Sequence, residues 1–203
     1  MYSYRIEQAI RAAAVLHQDQ KRKGQMPLPY VTHLYAVALL VSDYTDDEST
    51  VIAALLHDTL EDTDYTSTEL EQDFGRKVRE IVEAVSEPQE DDDGNRPSWE
   101  ERKKAYAKKL KTAPEEALLV AAADKIHNMR STVEQYYDNH AGFIKDFGGA
   151  LDDRAMMYQD ISNVLNSRLK NDIIGEFNHV YTEYKNFVLG VKSKLSSDPK
   201  RKK

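Results

Sequence analysis

The stretch AALLHDTLEDT, residues 53–63, joins an apolar run to a dense group of ionisable side chains. Its spacing predicts a helix over about 46–60 that is apolar on every side towards its end, which is typical of a helix at the centre of a domain. Burying an imidazole and several carboxylates beside such a segment is costly unless a cation or hydrogen-bond donors compensate them. The stretch therefore predicts a cation site at the end of a central helix.

Helical periodicity continues on both sides of this stretch, whereas strand alternation is almost absent. The first helix is predicted to end before Gly24, and Thr45-x-x-Glu48 and Thr66-x-x-Glu69 have capping-box form. The predicted helices cover about 4–23, a segment from His33, 46–60, 66–74, 76–85, 99–110, a segment capped by Thr112, 150–170 and 172–192. The pattern indicates an all-α fold: one compact domain over 1–192, an acidic loop at about 86–98, and a basic disordered tail at 193–203.

Composition narrows the function classes. A net charge of −7 argues against a protein that coats DNA or RNA, because such proteins carry a basic face. No apolar stretch approaches the roughly 18 residues that span a bilayer, and the N-terminus lacks signal-peptide layout. The absence of cysteine excludes disulfides and thiolate metal ligands and is typical of a cytoplasmic protein. These features predict no membrane or nucleic-acid partner and leave the oligomeric state open.

Four side chains from three segments are candidate metal ligands: His33, His57, Asp58 and Asp124. On a helix, His57 lies one turn from Glu61, and Asp58 lies one turn from Asp62. Two imidazoles and two carboxylates without sulfur suit Mn²⁺, Fe²⁺ or Zn²⁺. The alternative interpretation is a hydrogen-bonded core histidine with acids that cap the helix break near Thr63.

Basic and aromatic residues near these candidates predict a phosphate clamp. Lys21-Arg22-Lys23 precedes the proline-stiffened connector to His33, and arginine binds phosphate oxygens in a bidentate way. Lys125 and Arg130, on either side of Asn128, could add to the clamp, and Arg154 shares a helical face with Tyr158. The alternatives are a solvated helix end for the basic cluster and packing for Tyr158. The remaining histidines show no convergent partners and are expected to be structural or exposed: His17, His127, His140 and His179.

Four motifs occur in a fixed order: H-x-x-Q-x-R-K…PY-x-x-H, AALLHD-x-x-EDT, FG-x-x-V and AADK-x-HNM. In this order the chain, over roughly residues 5–170, resembles the HD-domain metal-dependent phosphohydrolases, and within them the RelA/SpoT hydrolase domain and the small alarmone hydrolases. Two departures are visible. Leu34 replaces a proline that commonly follows the first histidine, and the connection at 87–97 is longer and more acidic than usual.

The resemblance implies an HD-type helical domain that hydrolyses the 3′-pyrophosphate of ppGpp or pppGpp, with no synthetase segment. It implies Mn²⁺ on His33, His57, Asp58 and Asp124. The residues implied to act in catalysis are Glu61, Asp62 and Asn128, and those implied to contact the nucleotide are Arg22, Lys23, Arg154 and Tyr158. The alternatives are a related phosphohydrolase for another nucleotide, such as (p)ppApp or the 2′-phosphate of NADPH, and a catalytically silent nucleotide-binding module.

Overall fold

The computed structural model describes residues 2–24, 26–90, 94–147 and 151–197. Across these ranges eleven helices carry the fold, and the β pairing found there is one isolated antiparallel bridge between Lys21 and Pro29. In chain order the helices are α1 Tyr4–Leu16, α2 Val31–Ser42, α3 Glu48–Leu56, α4 Thr59–Asp62, α5 Ser67–Phe74, α6 Arg76–Val85, α7 Trp99–Leu110, α8 Glu115–Tyr136, α9 His140–Phe147, α10 Leu151–Arg168 and α11 Ile173–Ser197. The predicted all-α class is confirmed.

Helices α3 and α8 form the centre of the domain. Every residue of α3 from Thr50 to Leu56 is buried, and so is every residue of α8 from Ala117 to Asp124. α3 packs against α1, α2 and α6, whereas α8 packs against α2, α6 and α11. The alanine-rich stretches on both helices let these neighbours approach closely. The prediction of a central helix around residues 53–56 is therefore correct, and α8 shares that central position.

The predicted first helix is too long. α1 ends at Leu16, and the chain then turns back so that residues 20–22 pair with residues 28–30. The Arg22 N–H donates to the Leu28 carbonyl at 2.9 Å, and the Tyr30 N–H donates to the Gln20 carbonyl at 3.0 Å. Since prolines favour extended backbone, the proline-containing arm offers a partner strand that competes with helix continuation. The basic cluster thus lies in a loop and not at a helix end.

The predicted helix over 46–60 is interrupted. Asp47, not Thr45, is its N-cap, because the Asp47 carboxylate accepts the Thr50 N–H at 3.0 Å. α3 then ends at Leu56, whose carbonyl accepts the Thr59 hydroxyl at 2.6 Å. Side-chain hydrogen bonds to backbone carbonyls compete with helical hydrogen bonds. His57 and Asp58 therefore lie at a junction between α3 and α4 instead of inside one helix.

The remaining boundaries agree in part with the sequence. The capping box at Thr66 is confirmed. α8, in contrast, begins after Pro114 without a side-chain cap, and Thr112 bonds back to Lys109 instead. Helix α9 was not predicted, and α11 extends to Ser197, beyond the predicted boundary of the tail. Residues 198–203 of that tail and residues 91–93 of the acidic loop lie outside the described ranges.

No helix among the described residues combines the length and apolar character that crossing a membrane requires.

Candidate metal centre and active site

The four predicted metal ligands meet at one point in the core. His33 comes from α2, His57 and Asp58 from the α3–α4 junction, and Asp124 from α8. His33 Nε2 lies 3.3 Å from Asp124 Oδ1, and His57 Nε2 lies 3.2 Å from Asp58 Oδ2. Donor atoms of His33, His57 and Asp58 all lie within 4.8 Å of one another. The cluster has the ligand types and the spacing of a divalent metal site.

The surroundings of His57 show whether the cluster suits a bound cation. The His57 Nδ1 lies 2.8 Å from the Ala54 carbonyl, which can only accept, so Nδ1 carries the proton. Nε2 is buried and has no hydrogen bond of good geometry among the described residues. Burial would lower the pKa of His57, but the carboxylates of Asp58 and Asp124 raise it well above its ordinary value, so without a metal a proton on Nε2 supplies the positive charge between them. A metal cation can replace that proton, with the Nε2 lone pair as a ligand. The geometry therefore fits a bound cation.

His33 is oriented by a second histidine. His33 Nδ1 lies 2.8 Å from Nδ1 of His127, and burial, with the nearby His33 and Arg22, lowers the pKa of His127 to about 4. A neutral His127 can accept the His33 Nδ1 proton, which leaves the His33 Nε2 lone pair towards the carboxylates. The expectation that His127 lacks a partner is wrong. Its position three residues after Asp124, on the same helical face, was the available signal.

Asp124 carries a negative charge into this centre. Burial alone would raise its pKa, but Lys125, whose Nζ lies 2.5 Å from Asp124 Oδ2, and the two imidazoles hold that pKa well below its ordinary value. An ionised carboxylate in a buried position needs a compensating charge. Lys125 provides part of that charge on one side, and the candidate metal position faces the other oxygen.

Asp58 is held by a tyrosine that the sequence did not single out. The Tyr30 hydroxyl donates to Asp58 Oδ2 at 2.6 Å, and its ring stacks on His17 with centroids 5.3 Å apart. His17 is itself buried and bonds Gln20 at 2.7 Å, which agrees with the expectation of a structural histidine. The signal was the PY-x-x-H spacing, which places Tyr30 one turn before His33.

The proposed catalytic residues line a cavity of about 170 Å³ beside the metal cluster. Glu61 Oε1 accepts the Glu87 N–H at 2.9 Å, and burial, with Asp58, raises the pKa of Glu61 to about 7. Asp62 lies next to it and is exposed. Asn128 donates to Asp124 and accepts from Arg22 at 2.7 Å. A carboxyl group that titrates near neutrality beside a cation site is suited to proton transfer.

The raised pKa of Glu61 predicts that the metal-free protein loses stability as the pH rises. The folded protein favours the protonated form of Glu61. The contribution of this group to the free energy of unfolding is therefore fully present below its ordinary pKa of 4.5 and is lost as the pH rises through about 7. In EDTA, the Glu61→Gln variant should therefore melt several degrees above the wild type at pH 8, and the difference should shrink towards pH 5. Differential scanning calorimetry at both pH values measures this, and a difference independent of pH would contradict it.

A larger cavity of about 320 Å³ adjoins the first and shares Tyr30, Lys125 and Asn128 with it. All five predicted substrate-binding residues line it: Arg22, Lys23, Lys125, Arg154 and Tyr158. Arg130 lines neither cavity, because it pairs with Glu176 of α11 at 2.5 Å. The Tyr158 ring is almost fully buried against Tyr184, so packing accounts for most of its surface.

Several further residues of the large cavity come from α7 and from the segment before it. Glu87 and Lys103 border both cavities, and the Lys103 ammonium lies 5.8 Å from the centre of the Trp99 ring. Tyr106 lies 5.0 Å beneath the Lys125 ammonium. The cavity combines cations with aromatic faces, the surfaces that bind phosphates and bases.

Comparison with known proteins agrees with this geometry. The HD domain family pattern matches residues 9–143. The guanosine-3′,5′-bis(diphosphate) 3′-pyrophosphohydrolase MESH1 of Xenopus tropicalis is 39% identical over 127 residues, which are 62% of this chain and 68% of that protein. Human MESH1 is 34% identical over 151 residues, or 68% and 81% of the two chains. The bifunctional (p)ppGpp synthase/hydrolase SpoT of Escherichia coli K12 is 36% identical over 63% of this chain, but the match spans only 18% of SpoT.

Solved structures show the same relationship. A structure described as a metazoan ortholog of SpoT that hydrolyzes ppGpp superposes with a TM-score of 0.73 at 25% identity, covering 90% of this chain and 97% of that one. A protein from Listeria monocytogenes EGD-e superposes with a TM-score of 0.62 at 27% identity, covering 82% and 99%.

Proposed function

Since the chain belongs to the HD domain family, we propose that it hydrolyses the 3′-pyrophosphate of ppGpp and pppGpp to give GDP or GTP and pyrophosphate. The observation that carries this proposal is the joined pair of cavities. The smaller one contains the candidate divalent-metal ligands beside Glu61, and the larger one is lined by cations and aromatic rings. The relatives from Xenopus tropicalis and human, named for this reaction, support the choice of substrate. We assign the activity to one domain, residues 1–192.

We propose Mn²⁺ as the ion, with Fe²⁺ and Zn²⁺ as alternatives, because the ligand set has nitrogen and oxygen but no sulfur. His33, His57, Asp58 and Asp124 would hold it. When bound, such an ion lowers the pKa of water and offsets the charge on phosphoryl oxygens.

The side chains around the ion would divide the proton transfers. Glu61 would accept the proton of the attacking water, since its carboxyl borders the small cavity and its pKa is raised to about 7 in the metal-free protein. Asp62, exposed beside it, would assist in protonating the leaving 3′-oxygen. Asn128, fixed between Asp124 and Arg22, would orient the water. Each of these roles requires the side chain to face the reacting phosphate in the small cavity.

The large cavity would hold the nucleotide. Arg22, Lys23 and Lys125 would bind the phosphates, because charge-assisted hydrogen bonds to phosphate are strong and locally overcome a net charge of −7. Arg154 and Tyr158, which line the same cavity, would contact the remainder of the nucleotide.

Product analysis tests the proposed reaction. The Mn²⁺-loaded protein is incubated separately with ppGpp, pppGpp, ppApp and NADPH, and nucleotide and phosphate products are resolved by chromatography. GDP or GTP together with pyrophosphate supports the proposal. Orthophosphate from NADPH indicates instead a 2′-phosphatase, and binding without turnover of any nucleotide indicates a silent binding module.

The basic loop should contribute mainly to substrate binding. Lys23→Ala should raise KM about tenfold or more with little change in kcat, because its charge would hold the phosphates equally in the ground and transition states. Arg22→Ala should raise KM and also lower kcat, since Arg22 bonds Asn128 at 2.7 Å. Steady-state kinetics at two salt concentrations measures both effects, and salt should weaken wild-type binding more than that of either variant.

A matched control is Lys108→Ala on the exposed side of α7, which changes the net charge equally but lies outside both cavities. Its KM should equal that of the wild type. If Lys23→Ala and Arg22→Ala behave like this control, the phosphate clamp must be assigned to Lys125 and Arg154.

A further inference from the structure

Glu87 lies at the start of the acidic loop, directly after α6, and its side chain is mostly buried. The carboxylate is only 10% exposed and lies between two cations of α7. Arg102 Nε is 3.4 Å from Oε2, and the Lys103 ammonium contacts Oε1. A buried carboxylate held by two cations has a defined position, unlike an exposed surface ion pair.

The backbone of the same residue reaches the small cavity. The Glu87 N–H donates to Glu61 Oε1 at 2.9 Å, across 26 residues of sequence. Among the described residues, this is the hydrogen bond that holds the Glu61 carboxylate. One oxygen of Glu61 is therefore tied to the loop, and the other is left for the cavity.

Helix α7 also fastens the segment just before Glu87. The Lys109 ammonium contacts the Glu83 carbonyl and lies 3.2 Å from the Ser86 carbonyl. These carbonyls lie at the C-terminal end of α6, where the regular helical hydrogen bonds end. The backbone at residues 83–87 is thus fixed to α7 on both sides of the Glu87 N–H.

We propose that Glu87 is a positioning residue for the reaction: its carboxylate, held by Arg102 and Lys103, fixes its own N–H on Glu61 and so orients the proton-accepting oxygen. The inference rests on the proposed role of Glu61. A general base must lie within hydrogen-bond reach of the proton it removes, and a small rotation of the carboxylate loses that geometry. The acidic loop therefore contributes to catalysis through the backbone of its first residues, without contact between Glu87 and the reacting atoms.

Kinetics with a double-mutant cycle tests the positioning role. Glu87→Gln keeps the shape and the N–H but removes the charge that Arg102 and Lys103 bind, so kcat should fall about tenfold while KM changes less than threefold. In a Glu61→Gln background the same substitution should cost less than twofold, because residues that act as a unit are not additive. Glu100→Gln, which removes an exposed carboxylate of α7, is the matched control and should leave kcat unchanged.

The proposal is overturned if the kcat loss of the double variant equals the product of the losses of Glu61→Gln and Glu87→Gln. It is also overturned if Glu87→Gln changes only KM, because that result would assign Glu87 to substrate binding through Lys103.

Amide hydrogen exchange gives a readout that is independent of turnover. By NMR on protein loaded with diamagnetic Zn²⁺, the residue 87 amide of the wild type should be protected, and protection should fall tenfold or more in Glu61→Ala and in Glu87→Gln. Amides inside α6 should keep their protection in both variants. Unchanged protection at residue 87 would overturn the positioning contact. If no nucleotide is turned over, the proposed function fails, but this exchange result still decides whether Glu87 holds Glu61.

Discussion

Glu61→Gln is expected to lower kcat by about 10²–10⁴-fold while the protein retains most of its metal affinity. The substitution preserves the size of the side chain and the oxygen that accepts the Glu87 N–H at 2.9 Å, so the loop contact can persist. It removes the group that would accept the proton of the attacking water. Steady-state kinetics with ppGpp, together with elemental analysis of the purified variant, separates loss of chemistry from loss of the ion.

Two further variants make this result specific. Asp58→Ala should lose the ion, since Asp58 Oδ2 lies 3.2 Å from His57 Nε2 at the centre of the cluster. Glu80→Gln removes an exposed carboxylate paired with Arg76 and should leave both kcat and metal content unchanged. If Glu61→Gln and Asp58→Ala lose the metal to the same extent, Glu61 must be reassigned as a ligand.

Removal of the metal should destabilise the whole domain. The candidate ligands come from α2, the α3–α4 junction and α8, so an ion bound to the folded form links the central helices and stabilises them by mass action. With the ion at about a thousandfold over its Kd, the stabilisation is about 4 kcal/mol. For a chain of this size we therefore expect chelation to lower Tm by about 8–16 °C.

Calorimetry before and after dialysis against EDTA, followed by addition of Mn²⁺, measures this shift and its reversal. The Asp58→Ala variant is the matched control, because its Tm should not respond to Mn²⁺. A wild-type Tm that is unchanged by chelation, with no metal in elemental analysis, would reject the metal site.

Much of the fold followed from local spacing. Two segments that are apolar on every side, at 53–56 and 117–123, had to be central helices because a solvent-facing helix needs a polar side. The Thr66 capping box and the Phe74-Gly75 helix end were also recognisable, since both depend on residues within one turn. The helix break at His57 was not, because it arises from side-chain hydrogen bonds that compete with the backbone.

The candidate site was likewise predictable from the sequence only in part. The motifs around His33, His57-Asp58 and Asp124 were sufficient to predict a metal centre, since an imidazole or carboxylate at the end of an apolar run needs a compensating charge. The roles assigned to Glu61, Asp62 and Asn128 remain predictions, although the structure places all three side chains in the lining of one cavity.

Distant contacts were decided by tertiary packing alone. The pairing of His127 with His33, the hydrogen bond from Arg22 to Asn128 and the Glu87 N–H on Glu61 join residues 94, 106 and 26 positions apart. Periodicity describes how one segment divides between core and solvent, whereas these contacts depend on how helices and loops are placed against one another. The amino-acid order therefore specified the candidate metal ligands and the central helices, and packing determined which side chains orient them.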